Sequence, residues 1–347
     1  MSNELFIAGV AVCLGILLYW GFRVLPQDKW QFLAAVPRKR LDDGRWQAIN
    51  LTYYGLFSAL AHVIALSILL ILTGSIGISE DKALIIILVM MGACLPASRL
   101  LAGWIEKKAH TFTVGGASFV GILLGPAVVW LVYRTIYPNA IIPWLPLLAA
   151  LAVAYAVGEG VGRLACISFG CCYGKPVVFG RTYLNCLCQH YSFIFTGTTK
   201  KIAYEGGLEG QKVFPIQAVT ATIFIGAALT GMYLFLIGSY GLSFFLTILV
   251  TQLWRLISEI FRADYRGGGS LSAYQLMALL ALPYALAICF FLPQATIIAN
   301  IQKGLESLWQ PRTILFLQAW GAGIFWYTGS SRVTASHASF YVNKELI

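Results

Sequence analysis

The chain has 347 residues, of which 59% are hydrophobic and 11% are charged, and its mean hydropathy is +0.77. A soluble protein carries about a quarter charged residues, and one core of this size cannot bury so much apolar surface, so the composition predicts an integral membrane protein and excludes soluble, disordered and fibrous classes. The net charge of +10 indicates membrane topology and attraction to anionic lipid, whereas no basic run longer than Arg38-Lys39-Arg40 suggests a nucleic-acid partner.

Segments of about 20 mostly apolar residues predict membrane-spanning helices. Nine segments qualify or nearly qualify: residues 4–23, 49–73, 84–104, 113–134, 140–160, 214–237, 241–260, 271–293 and 313–329. The first is interpreted as a retained span, because no basic residue precedes it and no small-residue cleavage site follows. The predicted fold is therefore an all-α polytopic membrane protein with about seven to nine transmembrane helices. Residues 161–213, the only long polar stretch, are expected to form a small extramembrane head.

The basic residues are distributed unequally between alternate sides of these spans. One side carries only Lys82, Arg134, Lys303 and Arg312, and the other carries the remaining twenty. Because Lys and Arg stay on the cytoplasmic side, this count predicts that the N-terminus lies outside and that the C-terminus and residues 161–213 lie in the cytoplasm. Cys186 and Cys188 would then be cytoplasmic and reduced.

Three arginines lie within or near the ends of predicted spans, at positions 99, 163 and 255. A charged side chain at membrane depth either extends to the interface or lines a polar cavity. Each arginine taken singly could do the former, but the three together favour an anion-binding cavity. A lipid phosphate is the anion most available there.

The stretch Gly158-Glu-Gly-Val-Gly-Arg-Leu-Ala-Cys-Ile-Ser-Phe-Gly-Cys-Cys-Tyr-Gly-Lys-Pro176 is the most informative in the chain. Its repeated glycines are expected to break the helix and present backbone amides to a ligand. This stretch resembles the signature of the prolipoprotein diacylglyceryl transferase family. Further stretches agree with the family in order: Thr52-Tyr-Tyr-Gly-Leu56, Ala97-Ser-Arg-Leu100, Gly115-Gly-Ala-Ser118 running on to Gly125, Phe214-Pro-Ile-Gln217 and Trp254-Arg-Leu-Ile-Ser-Glu259 running on to Asp264.

The resemblance covers about residues 50–293, so the chain is divided into three parts. Residues 1–48 are expected to form an extra N-terminal span and a basic loop. Residues 49–293 are expected to form a membrane core of the diacylglyceryl transferase type, which contains the signature and head (161–213). Residues 294–347 are expected to form a C-terminal span and a tail. The resemblance implies a location in the cell (inner) membrane.

The resemblance implies transfer of the diacylglyceryl group from phosphatidylglycerol to a prolipoprotein cysteine thiol, which leaves glycerol phosphate. In this family two arginines act on the phosphate, and they correspond to Arg163 and Arg255. The implied substrate-binding residues are Tyr54, Arg99, Ser118, Cys166 and Gln217. The implied partners are an anionic phospholipid and a prolipoprotein. No cofactor or metal is implied.

This sequence departs from the family pattern at three polar positions. The family's histidine is Val120 here, and its asparagine and glutamate fall at Cys166 and Cys171. The phosphate-binding arginines are thus retained while the acid/base groups change. Glu159 and Glu259 are candidate replacements, with Glu259 placed in the catalytic set, although each could instead pair with an arginine. A lipid-binding protein that has lost catalysis is the first alternative function, and a transferase with a cytosolic or lipid acceptor is another. A channel or transporter is less favoured, because no repeat with paired broken helices is found.

Five of the eight cysteines cluster near the signature, and the other three lie in apolar segments where they are expected to pack as small hydrophobic residues. Cys166, Cys171, Cys172, Cys186, Cys188 and His190 offer six soft ligands within 25 residues, so a tetrahedral zinc site is one alternative, although the spacing is not that of a standard finger. A thiolate nucleophile at Cys171, beside Lys175, is a second, and it places Cys171 among the candidate catalytic residues. A third alternative is that small residues have replaced the family's polar ones without a new role.

The charge count and the resemblance disagree about topology. The family signature faces outward, where prolipoproteins arrive, whereas the basic residues place residues 161–213 inside. If the core is inverted, the acceptor would have to be a cytosolic molecule or a lipid.

Overall fold

The computed structural model describes residues 2–106, 114–177, 191–264, 271–338 and 344–347. The helices in these ranges are α1 (Asn3–Val24), α2 (Tyr53–Ser75), α3 (Glu80–Glu106), α4 (Val114–Ile136), α5 (Trp144–Phe169), α6 (Lys201–Tyr204), α7 (Ile216–Leu236), α8 (Tyr240–Phe261), α9 (Ala273–Phe291), α10 (Ile301–Leu308) and α11 (Pro311–Gly329). Short 3₁₀ turns cover Asp28–Trp30 and Lys344–Leu346. The prediction of a polytopic, mostly helical membrane protein is confirmed.

Eight of the described helices, α1 to α5 and α7 to α9, are long and apolar enough to cross a bilayer. The ninth predicted span forms α11, which has the length but is less apolar. It nevertheless packs antiparallel against α2. A Cβ on Gly329 would lie 3.2 Å from the Cα of Gly55, and one on Gly321 would lie 2.9 Å from the side chain of Val63.

Two small sheets accompany the helices. Strands β1 (Phe32–Arg40), β2 (Trp46–Thr52) and β5 (Ser330–Ala338) form an antiparallel sheet with β2 in the centre, and β3 (Phe193–Ile194) pairs with β4 (Lys212–Val213). The segment predicted as a basic loop is therefore a hairpin, with Val36 opposite Ile49. Periodicity did not predict β1, because nearly all of its residues are exposed and only pairing with β2 stabilises them.

Helix α5 is the centre of the molecule and packs against α2, α7 and α8. Of the glycines expected to break the helix, Gly170 does end it, with a φ of +72°, whereas α5 continues through glycines 158–162. Gly158 and Gly160 instead permit close helix packing. A Cβ on Gly160 would lie 2.8 Å from Ile225 of α7, and one on Gly158 would lie 3.1 Å from Ala65 of α2.

The head is attached to the bundle by a buried lysine. The Nζ atom of Lys200 donates to the carbonyls of Ser168 (2.6 Å) and Leu25 (3.1 Å), at the C-terminal ends of α5 and α1. Carbonyls at a helix C-terminus carry partial negative charge and bind a cation well. Burial lowers the pKa of Lys200 to about 8, while Asp28 acts in the opposite direction.

Candidate active site

A buried carboxylate joins two arginines at the centre of the bundle. Glu159 of α5 pairs through one oxygen with Arg163, four residues later on the same helix face, and through the other with Arg255 of α8. Glu159 and Arg163 are 7% and 8% exposed. Three charges in so apolar a place require mutual compensation, and this trio retains one net positive charge.

Tyr155 is a further polar neighbour of the trio, and Arg163 has a donor that is not used. The Tyr155 hydroxyl accepts hydrogen bonds from Arg255 Nε (3.2 Å) and Nη2 (3.0 Å). The Nε of Arg163 is buried and has no hydrogen-bond partner among the described residues. The site can therefore offer a buried N–H and a net positive charge to an anion.

The chain that follows α5 is held between two other segments. Lys175 N donates to Phe261 O at the end of α8, and Phe214 N donates to Lys175 O, both at 2.9 Å. Gly174 is required here, since a Cβ would collide with the Phe214 carbonyl. This pairing positions the last residues of the signature beside the arginines.

Three thiols gather in this segment. The sulfur atoms of Cys166, Cys171 and Cys172 all lie within 4.8 Å of one another. Cys172 has a φ of +56°, the one non-glycine residue with positive φ in the described part of the chain. Arg163 interacts electrostatically with the Cys166 and Cys172 thiols, so the thiol cluster adjoins the charged trio.

Tyr54 and Gln217 also lie at this place, as the sequence predicts. Tyr54 interacts electrostatically with the three thiols and with Arg163, and its ring contacts Phe169 edge to face. Gln217 is buried and donates from Nε2 to the carbonyl of Cys171 at 3.0 Å, whereas its Oε1 finds no partner within the described ranges. The predicted residues Arg163, Arg255, Tyr54, Cys166, Cys171 and Gln217 are thus brought together by four helices.

The remaining three predicted site residues lie at the margin of this group or have other partners. Ser118 is buried, and its hydroxyl donates to the carbonyl of Gly115. A Cβ added to Gly115 would lie 3.2 Å from Arg255 Nη1, so this turn of α4 lies close to the arginine. Glu259 is half-buried one turn beyond Arg255 and interacts electrostatically with Arg262. The exposed Arg99 lies over the ring of Tyr327, with 5.6 Å between the guanidinium and the ring centroid.

Two residues of the site were not assigned to it from the sequence. Glu159 was considered only as a replacement acid or an arginine partner, and the structure shows it as the partner of both Arg163 and Arg255. Tyr155 was missed. The signal was the spacing of residues 155, 159 and 163, which places three polar side chains on one face of an otherwise apolar helix.

Two of the alternatives that the sequence left open concern these cysteines. Hydrogen bonds to Cys166 and Cys172, together with burial, raise the pKa of the Cys171 thiol well above its ordinary value, which disfavours a free thiolate there. Cys186, Cys188 and His190, the other members of the predicted zinc set, lie outside the described residues.

Comparison with known proteins agrees with this geometry. No curated protein matches the chain. The family model for prolipoprotein diacylglyceryl transferase matches residues 45–292, which include every residue of the charged trio and of the thiol cluster. The chain therefore belongs to the prolipoprotein diacylglyceryl transferase family.

Proposed function

We propose that this membrane transferase takes its diacylglyceryl group from phosphatidylglycerol and binds the phosphate of that lipid between Arg163 and Arg255. The observation that supports the proposal most directly is the shared carboxylate. Two guanidiniums on one Glu159 leave one net positive charge at a buried site, which matches the single negative charge of a phosphodiester. A zwitterionic lipid would bring a second charge that this site does not balance.

The reaction requires little more than charge stabilisation at the leaving group. The C–O bond between the diacylglyceryl carbon and the phosphate oxygen breaks, and the electron pair leaves with glycerol phosphate. The phosphate gains negative charge as this bond breaks, so guanidiniums already aimed at it stabilise the transition state more than the ground state. Arg163 Nε, which is buried without a partner among the described residues, is the donor that the incoming phosphate would satisfy.

The acceptor in this proposal is a prolipoprotein cysteine, whose sulfur forms a thioether with the glyceryl carbon. The chemistry of that product limits the role of Cys171. A diacylglyceryl group placed on an enzyme cysteine would itself be a thioether, and a thioether sulfur is a poor leaving group for a second transfer. Direct transfer to the acceptor is therefore favoured over a covalent intermediate on Cys171.

The donor half of the proposal is tested with purified protein and phosphatidylglycerol labelled in its glycerol headgroup. We expect release of labelled glycerol phosphate in the presence of an acceptor thiol, and none from phosphatidylethanolamine labelled in its headgroup. Equal turnover of the two lipids would contradict the charge-matching argument. Tight binding of phosphatidylglycerol without any turnover would instead support the alternative of a lipid-binding protein that has lost catalysis.

A further inference from the structure

The three clustered thiols have an arrangement that ordinary packing does not require. Successive side chains of an extended segment point to opposite sides, yet the sulfurs of the adjacent residues Cys171 and Cys172 both lie within 4.8 Å of Cys166. The left-handed backbone at Cys172 makes this convergence possible. Such a conformation costs about 1–3 kcal/mol in a residue with a side chain and is found preferentially at functional sites.

The spacing fits a common centre. A metal ion bound to sulfur at about 2.3 Å in tetrahedral geometry separates its sulfur ligands by about 3.8 Å. The three sulfurs, each within 4.8 Å of the others, need side-chain shifts of about an ångström or less to reach that geometry. All three cysteines are free thiols, and thiolate sulfur is the ligand that soft metal ions prefer.

Basic side chains also lie beside the three thiols. Arg163 interacts with Cys166 and Cys172, Lys201 interacts with Cys171 and Cys172, and Arg262 interacts with Cys172. Three thiolates and one divalent ion carry a net charge of −1, and these cations lie close enough to interact with it. Each cation also has an acidic partner: Glu159 for Arg163, Glu205 for Lys201, and Asp264 and Glu259 for Arg262.

We propose that Cys166, Cys171 and Cys172 bind one zinc ion through their three sulfur atoms and leave its fourth coordination position open. Catalytic zinc sites have this form, with three protein ligands and one position for water or substrate. The site lies beside Arg163, where the phosphate of the donor lipid is proposed to bind.

The open coordination position lies next to the proposed site of the donor phosphate, so the ion could activate the acceptor thiol. This role of the ion rests on the proposed function. The acceptor's thiol binds the zinc and releases its proton to solvent. Its sulfur then forms a C–S bond to the glyceryl carbon while the C–O bond to phosphate breaks and glycerol phosphate leaves. The metal would thereby replace the thiol-activating groups that Val120, Cys166 and Cys171 have displaced.

The binding site is tested first without activity. Protein purified in zinc-containing buffer and then dialysed should hold about one zinc per chain, and cobalt should produce sulfur-to-metal charge-transfer absorption. Serine at position 166, 171 or 172 should each reduce the zinc content to less than about half an ion per chain and weaken the cobalt absorption. Cys94→Ser and Cys289→Ser, which replace half-buried cysteines of α3 and α9, are matched controls and should change neither.

A second measurement uses the wild-type chain, so its result does not depend on whether the serine variants fold. Added zinc should protect Cys166, Cys171 and Cys172 from alkylation by a maleimide, while Cys94 and Cys289 react at the same rate with and without the metal. Wild-type protein that keeps less than about half an ion per chain and shows no protection would overturn the zinc site.

The role in catalysis is tested separately. Removal of zinc by a chelator should lower thiol transfer at least tenfold, and returning zinc should restore it. Unchanged transfer after complete zinc removal would overturn the role of the ion in thiol activation. Stoichiometric zinc in a protein that turns over no phosphatidylglycerol would keep the metal site and overturn the proposed function instead.

Discussion

The single carboxylate of Glu159 decides how the two arginines can coexist in the bundle. Because it contacts Arg163 and Arg255 at once, the guanidiniums that we propose bind phosphate are held in place before any lipid arrives. Preorganised charge of this kind needs no rearrangement when the transition state forms.

The arginines themselves are expected to be essential for activity. Arg163→Ala or Arg255→Ala should remove about 2.7–4 kcal/mol of transition-state stabilisation, or a factor of 10² to 10³ in kcat. The measurement is release of labelled glycerol phosphate by each purified variant. Arg312→Ala, which removes an exposed guanidinium at the opposite end of the bundle, is the matched control and should retain activity. Near-normal turnover by either site variant would contradict phosphate binding at this pair.

Glu159→Gln is expected to lower the stability of the protein, and a bound anionic lipid is expected to restore part of it. Loss of the carboxylate leaves two buried guanidiniums without a counter-charge, which should lower the free energy of unfolding by about 3–5 kcal/mol. An anionic headgroup can supply the missing charge. Phosphatidylglycerol in the detergent micelle should therefore raise the Tm of Glu159→Gln more than that of wild type. An equal rise in both proteins would show that the lipid does not bind at the guanidiniums.

At the scale of the elements, the contact between the ends of α5 and α7 positions the thiol segment. Gly174→Ala places a Cβ against the backbone of Phe214, and backbone cannot yield as a flexible side chain can. We expect this variant to lose most of its activity while its far-ultraviolet circular dichroism stays helical. Gly226→Ala, where the added Cβ meets nothing within 4 Å, should be neutral or slightly stabilising. Full activity of Gly174→Ala would show that the contact between Gly174 and Phe214 does not position the thiols.

Lys200 gives the junction between head and bundle a pH dependence. Its pKa is about 8 in the folded protein and about 10.4 in the unfolded chain. Between these values the unfolded state binds more protons, so the contribution of Lys200 to stability is smallest below about pH 8 and increases toward pH 10.4. In thermal melts over this range, Lys200→Met should lack the rise that wild type shows. A parallel pH dependence in the two proteins would contradict this assignment.

Elements with a strong hydrophobic signal could be predicted from the sequence, and elements stabilised by distant pairing could not. The long apolar runs predicted the spans α1 to α5 and α7 to α9. Strand β1 was missed because its residues are exposed, and β5 because its partner β2 lies almost 300 residues earlier in the chain. Gly170 does end the helix as expected, whereas only the packing of Ile225 and Ala65 shows that Gly160 and Gly158 serve close contact instead.

The site residues that lie in family motifs could be predicted from the sequence. Arg163, Arg255, Tyr54 and Gln217 were found by resemblance and do meet in space. The convergence of Cys166 with Cys171 and Cys172 depends on the backbone conformation at Cys172, which no spacing rule indicates. The contact of Glu159 with Arg255 joins residues almost 100 positions apart, so only the i,i+4 half of that pairing was available from the sequence.

At the scale of the whole molecule, the orientation of the site decides which acceptor can reach it. The count of twenty basic residues against four predicts that the site faces the cytoplasm, whereas the proposed prolipoprotein acceptor requires it to face outward. Cysteine placed at the exposed hairpin tip (Asp42→Cys) and at the opposite end (Asn139→Cys) separates the two orientations. An impermeant thiol reagent added to intact cells should label only Asn139→Cys if the charge count is right, with the label located by mass spectrometry. Labelling of Asp42→Cys alone would show the outward orientation that the prolipoprotein acceptor requires.

The central claim is that the charged trio beside the thiol cluster performs diacylglyceryl transfer from phosphatidylglycerol to a cysteine thiol. The most direct measurement incubates purified protein with phosphatidylglycerol of defined acyl chains and a signal-sequence peptide that contains one cysteine. Mass spectrometry of the peptide and assay of glycerol phosphate then follow both products. The account predicts a diacylglyceryl thioether on the peptide and glycerol phosphate in equal amounts, both lost in Arg163→Ala. An unmodified peptide with phosphatidylglycerol bound but intact would contradict it.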